Sequence, residues 1–177
     1  MKEISAGIII YRKTREGIKF LLLYHGGGYW NFPKGKIENV LLKNADNKEQ
    51  FGKETSFQTA IREVKEETGL SQNDLKFMGP FKVYEKFSFW RGRGEKKTQV
   101  FKIVIFYLAE TMQSRIKLSY EHDGYAWFTF KEGTKILNNY KDSQRVLTEA
   151  NNFFRRQSLS AVRHSVKNIS KIKTPSL

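Results

Sequence analysis

The stretch Arg62-Glu-Val-Lys-Glu-Glu-Thr-Gly-Leu70 places Glu63, Glu66 and Glu67 within five positions. A helix over residues 54–68, wound at about 100° per residue, puts Phe57, Ala60, Ile61 and Val64 on a core face. The three glutamates then share an adjacent flank, with Arg62 elsewhere. Gly69 suits the left-handed residue that ends such a helix. Carboxylates three and four apart repel one another, and near a helix C-terminus they also oppose the macrodipole. A solvated acidic face is the plain alternative, since Glu is a good helix former and Lys65 lies alongside. The chemical reading is a divalent-cation site. Hard Mg²⁺ takes carboxylate oxygens, keeps several waters and leaves an open side for phosphates. With 32 Lys and Arg against 18 Asp and Glu, and a formal charge of +14, this local acidity is the anomaly in the chain.

Several elements must hold that helix. Residues 4–13 and 19–25 read as paired strands around a turn at Glu16-Gly17. Residues 26–38, GGGYWNFPKGKIE, form a glycine-rich loop with Pro33 stiffening the backbone, although the spacing is not that of a P-loop. Residues 39–53 read as a polar loop apart from Val40-Leu41-Leu42, and 71–74 as a connector. Residues 77–90 and 98–110 read as strands joined by the basic turn RGRGEKK (91–97), and 125–130 as a further strand. Helical patterns return at 131–138 and 142–157, the latter with an apolar stripe of Val146, Leu147, Ala150, Phe153 and Phe154. From Ser158 the chain reads as a basic, flexible tail. Arg155, Arg156, Arg163, Lys167, Lys171 and Lys173 follow Asn151 without an acidic residue. The pattern predicts one α/β or α+β sandwich.

Composition narrows the function. A charge of +14 points to a polyanionic partner, a nucleotide, RNA or DNA, with a lysine-rich surface that only keeps the protein in solution as the plain alternative. The absence of cysteine excludes disulfides, thiol catalysis and cysteine–zinc sites, and fits a reducing, cytoplasmic setting. No run approaches the length of a membrane span, and the opening MKEISAGIII does not read as a signal peptide.

REVKEETGL resembles the second half of the Nudix hydrolase box, Arg-Glu-hydrophobic-x-Glu-Glu-x-Gly-hydrophobic. The box also asks for a Glu with seven residues between it and the Arg, and Glu54 stands there. The Gly expected six positions before that Glu is replaced by Lys48. PKGKIE (33–38) supplies the typical opening instead, with Gly35 in the glycine role. The box is therefore split by an insertion of 13 residues near 39–51, a change that costs little in closure entropy. The resemblance implies a Nudix-type α/β/α sandwich with a mixed sheet. It also implies Mg²⁺ or Mn²⁺ held by Glu63, Glu66, Glu67 and the Gly35 carbonyl, with Arg62 orienting the carboxylates and Glu54 as its partner.

Beyond the box, AGIIIYR, KFLLL, YWNFPKGKIE, KIVIFYLAE and LSYEHDGYAWF are similar to the asymmetric diadenosine tetraphosphate hydrolases, over residues 4–157. That likeness implies cleavage of a dinucleoside tetraphosphate into ATP and AMP. Glu121 enters as a further catalytic candidate, a metal ligand or base, beside Glu63. Lys36, Lys102 and His122 are the phosphate-binding candidates. Trp90, beside RGRGEKK, and Tyr125 are the base-stacking candidates, although buried aromatics are more often core. Two other readings remain open here. An RNA 5′-pyrophosphohydrolase is favoured by the basic tail and RGRGEKK, which suit phosphate-dominated RNA contact. A non-catalytic nucleotide-sensing or RNA-binding module would not need Glu54, Arg62, Glu63, Glu66 and Glu67 together.

Overall fold

The computed structural model describes residues 1–43, 49–92 and 96–172. Strands β1 (Lys2–Thr14) and β2 (Gly17–Tyr24) form the expected hairpin. Their apolar residues fill both sides of a sheet: Ile8, Ile9, Ile10, Leu21, Leu22 and Leu23 are all fully buried. Continuous apolar runs of this kind mark strands covered on both faces.

After β2 come two short strands, β3 (Trp30–Asn31) and β4 (Lys34–Lys36), then β5 (Asn39–Lys43) and β6 (Glu49–Lys53). Helix α1 spans Ser56–Thr68. Strands β7 (Lys76–Phe77), β8 (Val83–Arg91), β9 (Thr98–Glu110) and β10 (Gly124–Thr129) follow, then helices α2 (Phe130–Ile136) and α3 (Lys141–Ile172). Among the described residues the main sheet has the order β10-β2-β1-β9-β7, with β3 on β2, β4 on β1 and β8 on β9. The β1–β9 pair is parallel and its other pairings are antiparallel, so the sheet is mixed. Helix α1 packs on one face through Ala60 and Val64 against Ala6, Ile8, Ile10 and Leu23. Helices α2 and α3 cover the other through Leu137, Val146, Leu147 and Ala150 against Ile9, Phe20 and Phe106. This is the α/β/α sandwich that the resemblance implies.

Three local expectations change. The insertion at 39–51, read as a loop, contributes most of an antiparallel hairpin in which Val40 faces Gly52 and Leu41 faces Phe51. Val40-Leu41-Leu42 is β-prone and finds a partner strand inside the insertion itself. Residues 77–90, read as one strand, are divided into β7 and β8 around Gly79-Pro80, since proline cannot donate to a ladder. Helix α3 runs to Ile172, past position 157 where the pattern ended it and placed the tail. No glycine or proline interrupts residues 141–172.

Candidate active site

Helix α1 starts where Thr55 caps it. The Thr55 side chain accepts from Gln58 N, and the Gln58 side chain accepts from Thr55 N at 2.9 Å, a reciprocal capping box. The helix ends at Gly69, whose φ of 73° is the left-handed conformation glycine adopts without a steric penalty. Its last carbonyls, which have no partner within the helix, are taken up by the segment before β10. Lys117 N donates to Thr68 O at 2.9 Å and Ser119 N to Glu67 O at 3.1 Å. Those two bonds bring Glu121 and His122 to the acidic end of α1.

Arg62 organises the carboxylates. Its Nε and Nη2 grip Glu54 at 2.8 and 3.0 Å, a bidentate pair, and Nη2 also donates to Lys36 O at 3.0 Å. Nη1 lies 2.9 Å from both Glu63 and Glu66. The wheel placed Arg62 away from the glutamates. Its long side chain instead curls back among them, and Glu54 from outside the helix anchors it. Thr59 Oγ1 holds the second Glu54 oxygen at 2.9 Å, and the Arg62 hydrogen bond, first among the causes, keeps the Glu54 carboxyl below its ordinary value.

The three glutamates do not share one environment. Glu66 is outward, its side chain 57 % exposed. Glu63 lies against Gly35: a Cβ at position 35 would fall 1.9–2.1 Å from the Glu63 carboxylate atoms, so only glycine leaves that cradle free. Glu67 is buried, accepts from Lys34 N at 3.0 Å, and has His122 Nε2 at 3.5 Å. Burial pushes the Glu67 carboxyl up to about 8, against the opposing pull of Lys34. Burial also raises Glu63, which Arg62 counters. His122 is buried, with Nδ1 2.9 Å from Ser119 Oγ and Nε2 lacking a hydrogen-bond partner. Its ring lies 4.4 Å from that of His25, whose Nε2 is likewise unpartnered. Burial depresses both imidazoles, His25 to about 4, so both are neutral at pH 7. Glu121 is exposed on the same loop, and its charge acts on both Glu67 and His122.

Among the described residues no three acidic or imidazole side chains converge into a finished metal cage. Arg62 Nη1 occupies oxygens of Glu63 and Glu66. The donor set nevertheless fits a hard divalent cation that keeps its waters and needs few protein oxygens. Glu63, Glu66, Glu67 and the Gly35 carbonyl are the groups available to hold one.

Lysines gather beside the carboxylates. Lys102 on β9 is depressed first by burial and then by the charges of Lys34 and Lys36. Lys34 is depressed by burial, against the pull of Glu67, Glu85 and Glu63. Lys36 turns its Nζ to Glu3 at 3.5 Å. Lys34 was not among the sequence candidates. The signal was available, since Lys34 and Lys36 stand two apart on a strand and so share a side. Glu85 and His25 were also missed. Glu85 is 3 % exposed and accepts from Ser143 Oγ at 2.5 Å. It lines a pocket of about 240 Å³ with Tyr29, Asn31, Phe87, Tyr140 and Ser143.

The two stacking candidates lie elsewhere. Tyr125 packs against the core under α1. Trp90 is 65 % exposed near the end of β8, and strand alternation puts it on the sheet face opposite Glu85.

A carboxylate cluster under a fixed arginine, beside buried lysines and on a mixed sheet between helices, defines a phosphate-handling enzyme site of the Nudix type. The NUDIX domain family pattern matches residues 1–150, and the chain belongs to that family. It is an enzyme of the Nudix pyrophosphohydrolase class. It is 31% identical over 159 residues to the asymmetrical bis(5′-nucleosyl)-tetraphosphatase of Sus scrofa, covering 84% of this chain and 93% of that protein. It is 28% identical to the enzyme of the same name from Caenorhabditis elegans, covering 76% of this chain and 84% of the relative. The crystal structure of a C. elegans Ap4A hydrolase binary complex superposes with a TM-score of 0.65 at 26% identity, covering 86% of this chain and 98% of that one. Among the described residues no helix is long and apolar enough to cross a membrane.

Proposed function

We propose that this enzyme hydrolyses a dinucleoside tetraphosphate asymmetrically, converting diadenosine tetraphosphate and water into ATP and AMP. The observation that carries the reading is the juxtaposition of Lys34, Lys36 and Lys102, the first two of which act on the charge of the third, with the Glu63–Glu66–Glu67 cluster. A long polyphosphate would relieve the repulsion felt by Lys102 while presenting one phosphorus at the carboxylates. The names of the relatives, at about 30% identity over most of the chain, support the same substrate class.

A bound Mg²⁺ or Mn²⁺ would polarise phosphoryl oxygens and acidify the attacking water. The residues do the rest. Glu54 fixes Arg62, and Arg62 holds Glu63 and Glu66 in place. Lys34, Lys102 and His122 would engage phosphates remote from the scissile bond, and the pocket of Tyr29, Phe87 and Tyr140 would receive a base. Water oxygen bonds to phosphorus as the P–O bond to the bridging oxygen breaks, and the proton passes to Glu63 or Glu121. Positioning and charge neutralisation dominate such phosphoryl transfers.

The test is incubation of the full chain with diadenosine tetraphosphate and Mg²⁺, with the products separated by chromatography. ATP and AMP in equal amounts, abolished by Glu63→Gln, is the expected result. Two ADP, or no turnover by folded wild type, would overturn the substrate assignment. A second reading, removal of pyrophosphate from triphosphorylated RNA, is favoured by one feature: after Glu149, α3 carries Arg155, Arg156, Arg163, Lys167 and Lys171 and no acidic residue. Contact with RNA through that basic segment would serve such a substrate.

A further inference from the structure

Helix α1 covers only part of its side of the sheet. Strands β1, β9 and β8 extend past it, and their registers fix what they display there. Ser88 of β8, Phe101 of β9 and Lys2 of β1 lie abreast. Lys86, Ile103 and Ile4 form the next row, and Trp90 pairs with Gln99 at the outer end. Laterally paired residues share a face, and Ile105 and Tyr107, further along β9, pack under α1 on this side.

Among the described residues the face is uncovered and aromatic. Phe101 is 54% exposed, Trp90 65%, Tyr84 43% and Ile4 40%. Lone exposed apolar residues are ordinary, but a contiguous apolar set rimmed by polar groups marks an interaction site. Its charge is mainly positive, with Glu149 of α3 the acid at its Lys82–Lys86 edge. From these rows and from Tyr84 project Lys2 and Lys86 but no carboxylate, because alternation sends Glu3 and Glu85 to the opposite face. Lys82, just before β8, joins it, with Nζ 5.3 Å from the Tyr107 ring centroid.

Lysines around exposed rings suit one ligand chemistry: phosphates for the cations and flat bases for the rings. Single-stranded nucleic acids are bound by such combinations of stacking platform and positive groove. Tyr84 and Trp90 are six residues apart on one strand, about 20 Å at the usual rise, with Phe101 between them on the neighbouring strand. That span accommodates a few nucleotides. A protein partner of ordinary composition would bring carboxylates to pair with the lysines but would leave the rings' stacking geometry without a reason.

We propose that this bare face of β1, β9 and β8 binds single-stranded nucleic acid, with Trp90 and Phe101 stacking on bases and Lys2, Lys82 and Lys86 holding the phosphates. The site is separate from the carboxylate cluster and does not depend on which phosphoanhydride the enzyme cleaves. The basic stretch of α3 meets this face at the β8 edge, where Arg156 lines one pocket with Lys82, Tyr84 and Lys86, so the test must tell the two apart.

The experiment is fluorescence anisotropy of labelled twelve-nucleotide RNA and DNA strands, using the full chain in EDTA to suppress turnover. Wild type is compared with Phe101→Ala, Trp90→Ala, Lys86→Glu and the α3 pair Arg155→Gln/Arg156→Gln. Base–aromatic stacking predicts about tenfold or greater weakening for each ring removed, with the salt dependence unchanged because no charge is altered. Lys86→Glu is expected to weaken binding and flatten the salt slope. All three side chains are exposed, so thermal unfolding should stay near wild type. Equal weakening of RNA and DNA, or stronger RNA binding, supports the proposal. Wild-type affinity in both ring variants, with loss confined to the α3 pair, would overturn it. So would failure of wild type to bind either strand at low salt, or sedimentation showing that the face is closed by a second copy and opened by Phe101→Asp.

Discussion

Glu67→Gln offers a sharp check on the candidate site. The native carboxyl titrates at about 8, raised from an ordinary 4.5, and burial is the largest cause. The unfolded chain ionises near the ordinary value. Between those two pH values the native state keeps a proton that the unfolded state has lost, so stability falls as pH rises. This stabilisation is fully present below about 4.5 and is lost as pH climbs through about 8. At about 1.36 kcal/mol per unit, the ceiling is about 5 kcal/mol. Relaxation around buried charge reduces such figures, and about 2–3 kcal/mol is the expected loss from pH 5 to pH 9. Glutamine keeps an oxygen for Lys34 N and carries no titrating group, so the variant should lack this component. The assay is urea unfolding of the metal-free full chain from pH 5 to pH 9, read as the difference between the two proteins, so that titrations common to both largely cancel. Added Mg²⁺ should reverse the trend in wild type, because a cation binds the ionised carboxylate and displaces its proton. Parallel wild-type and variant curves, with or without Mg²⁺, would refute the placement of Glu67 as a buried, cation-seeking carboxylate.

Gly35→Ala should leave the fold intact, because only the end of the Glu63 side chain must move, but it should cut turnover of the tetraphosphate at least tenfold by filling the cradle. Steady-state kinetics beside thermal unfolding check it. Arg62→Lys cannot reproduce the bidentate grip on Glu54 while also reaching Glu63, Glu66 and Lys36 O, so kcat should fall about 10–100-fold. Wild-type kcat in that variant would show that the arginine network is only structural. Lys34→Met removes a positive charge that acts on both Glu67 and Lys102. It should raise KM for the tetraphosphate and move the Glu67 titration further up, which pH-dependent unfolding of the variant would detect.

What the sequence determined by itself was local. The course of α1, its end at Gly69, the spacing of Glu63, Glu66 and Glu67, the strand at 98–110 and, to within one residue at each end, the strand read at 125–130 follow from periodicity, end signals and β-branched runs. Those are short-range properties of the chain. Glu54 and Gly35 were legible only through the resemblance, since an insertion separates them. Tertiary structure decided the rest. Only packing shows that Glu67 is buried while Glu66 is exposed, that Arg62 lies among the glutamates, and that the insertion pairs with itself. Lys34 and His25 acquire their setting from strands distant in sequence. The β8–β9 register set against α1 separates Glu85, beside the lysines, from Trp90 on the bare face. The physical reason is common to all of these: burial, and with it the shift of a pKa or the value of a charge, belongs to what surrounds a side chain, and those surroundings arrive from remote parts of the chain.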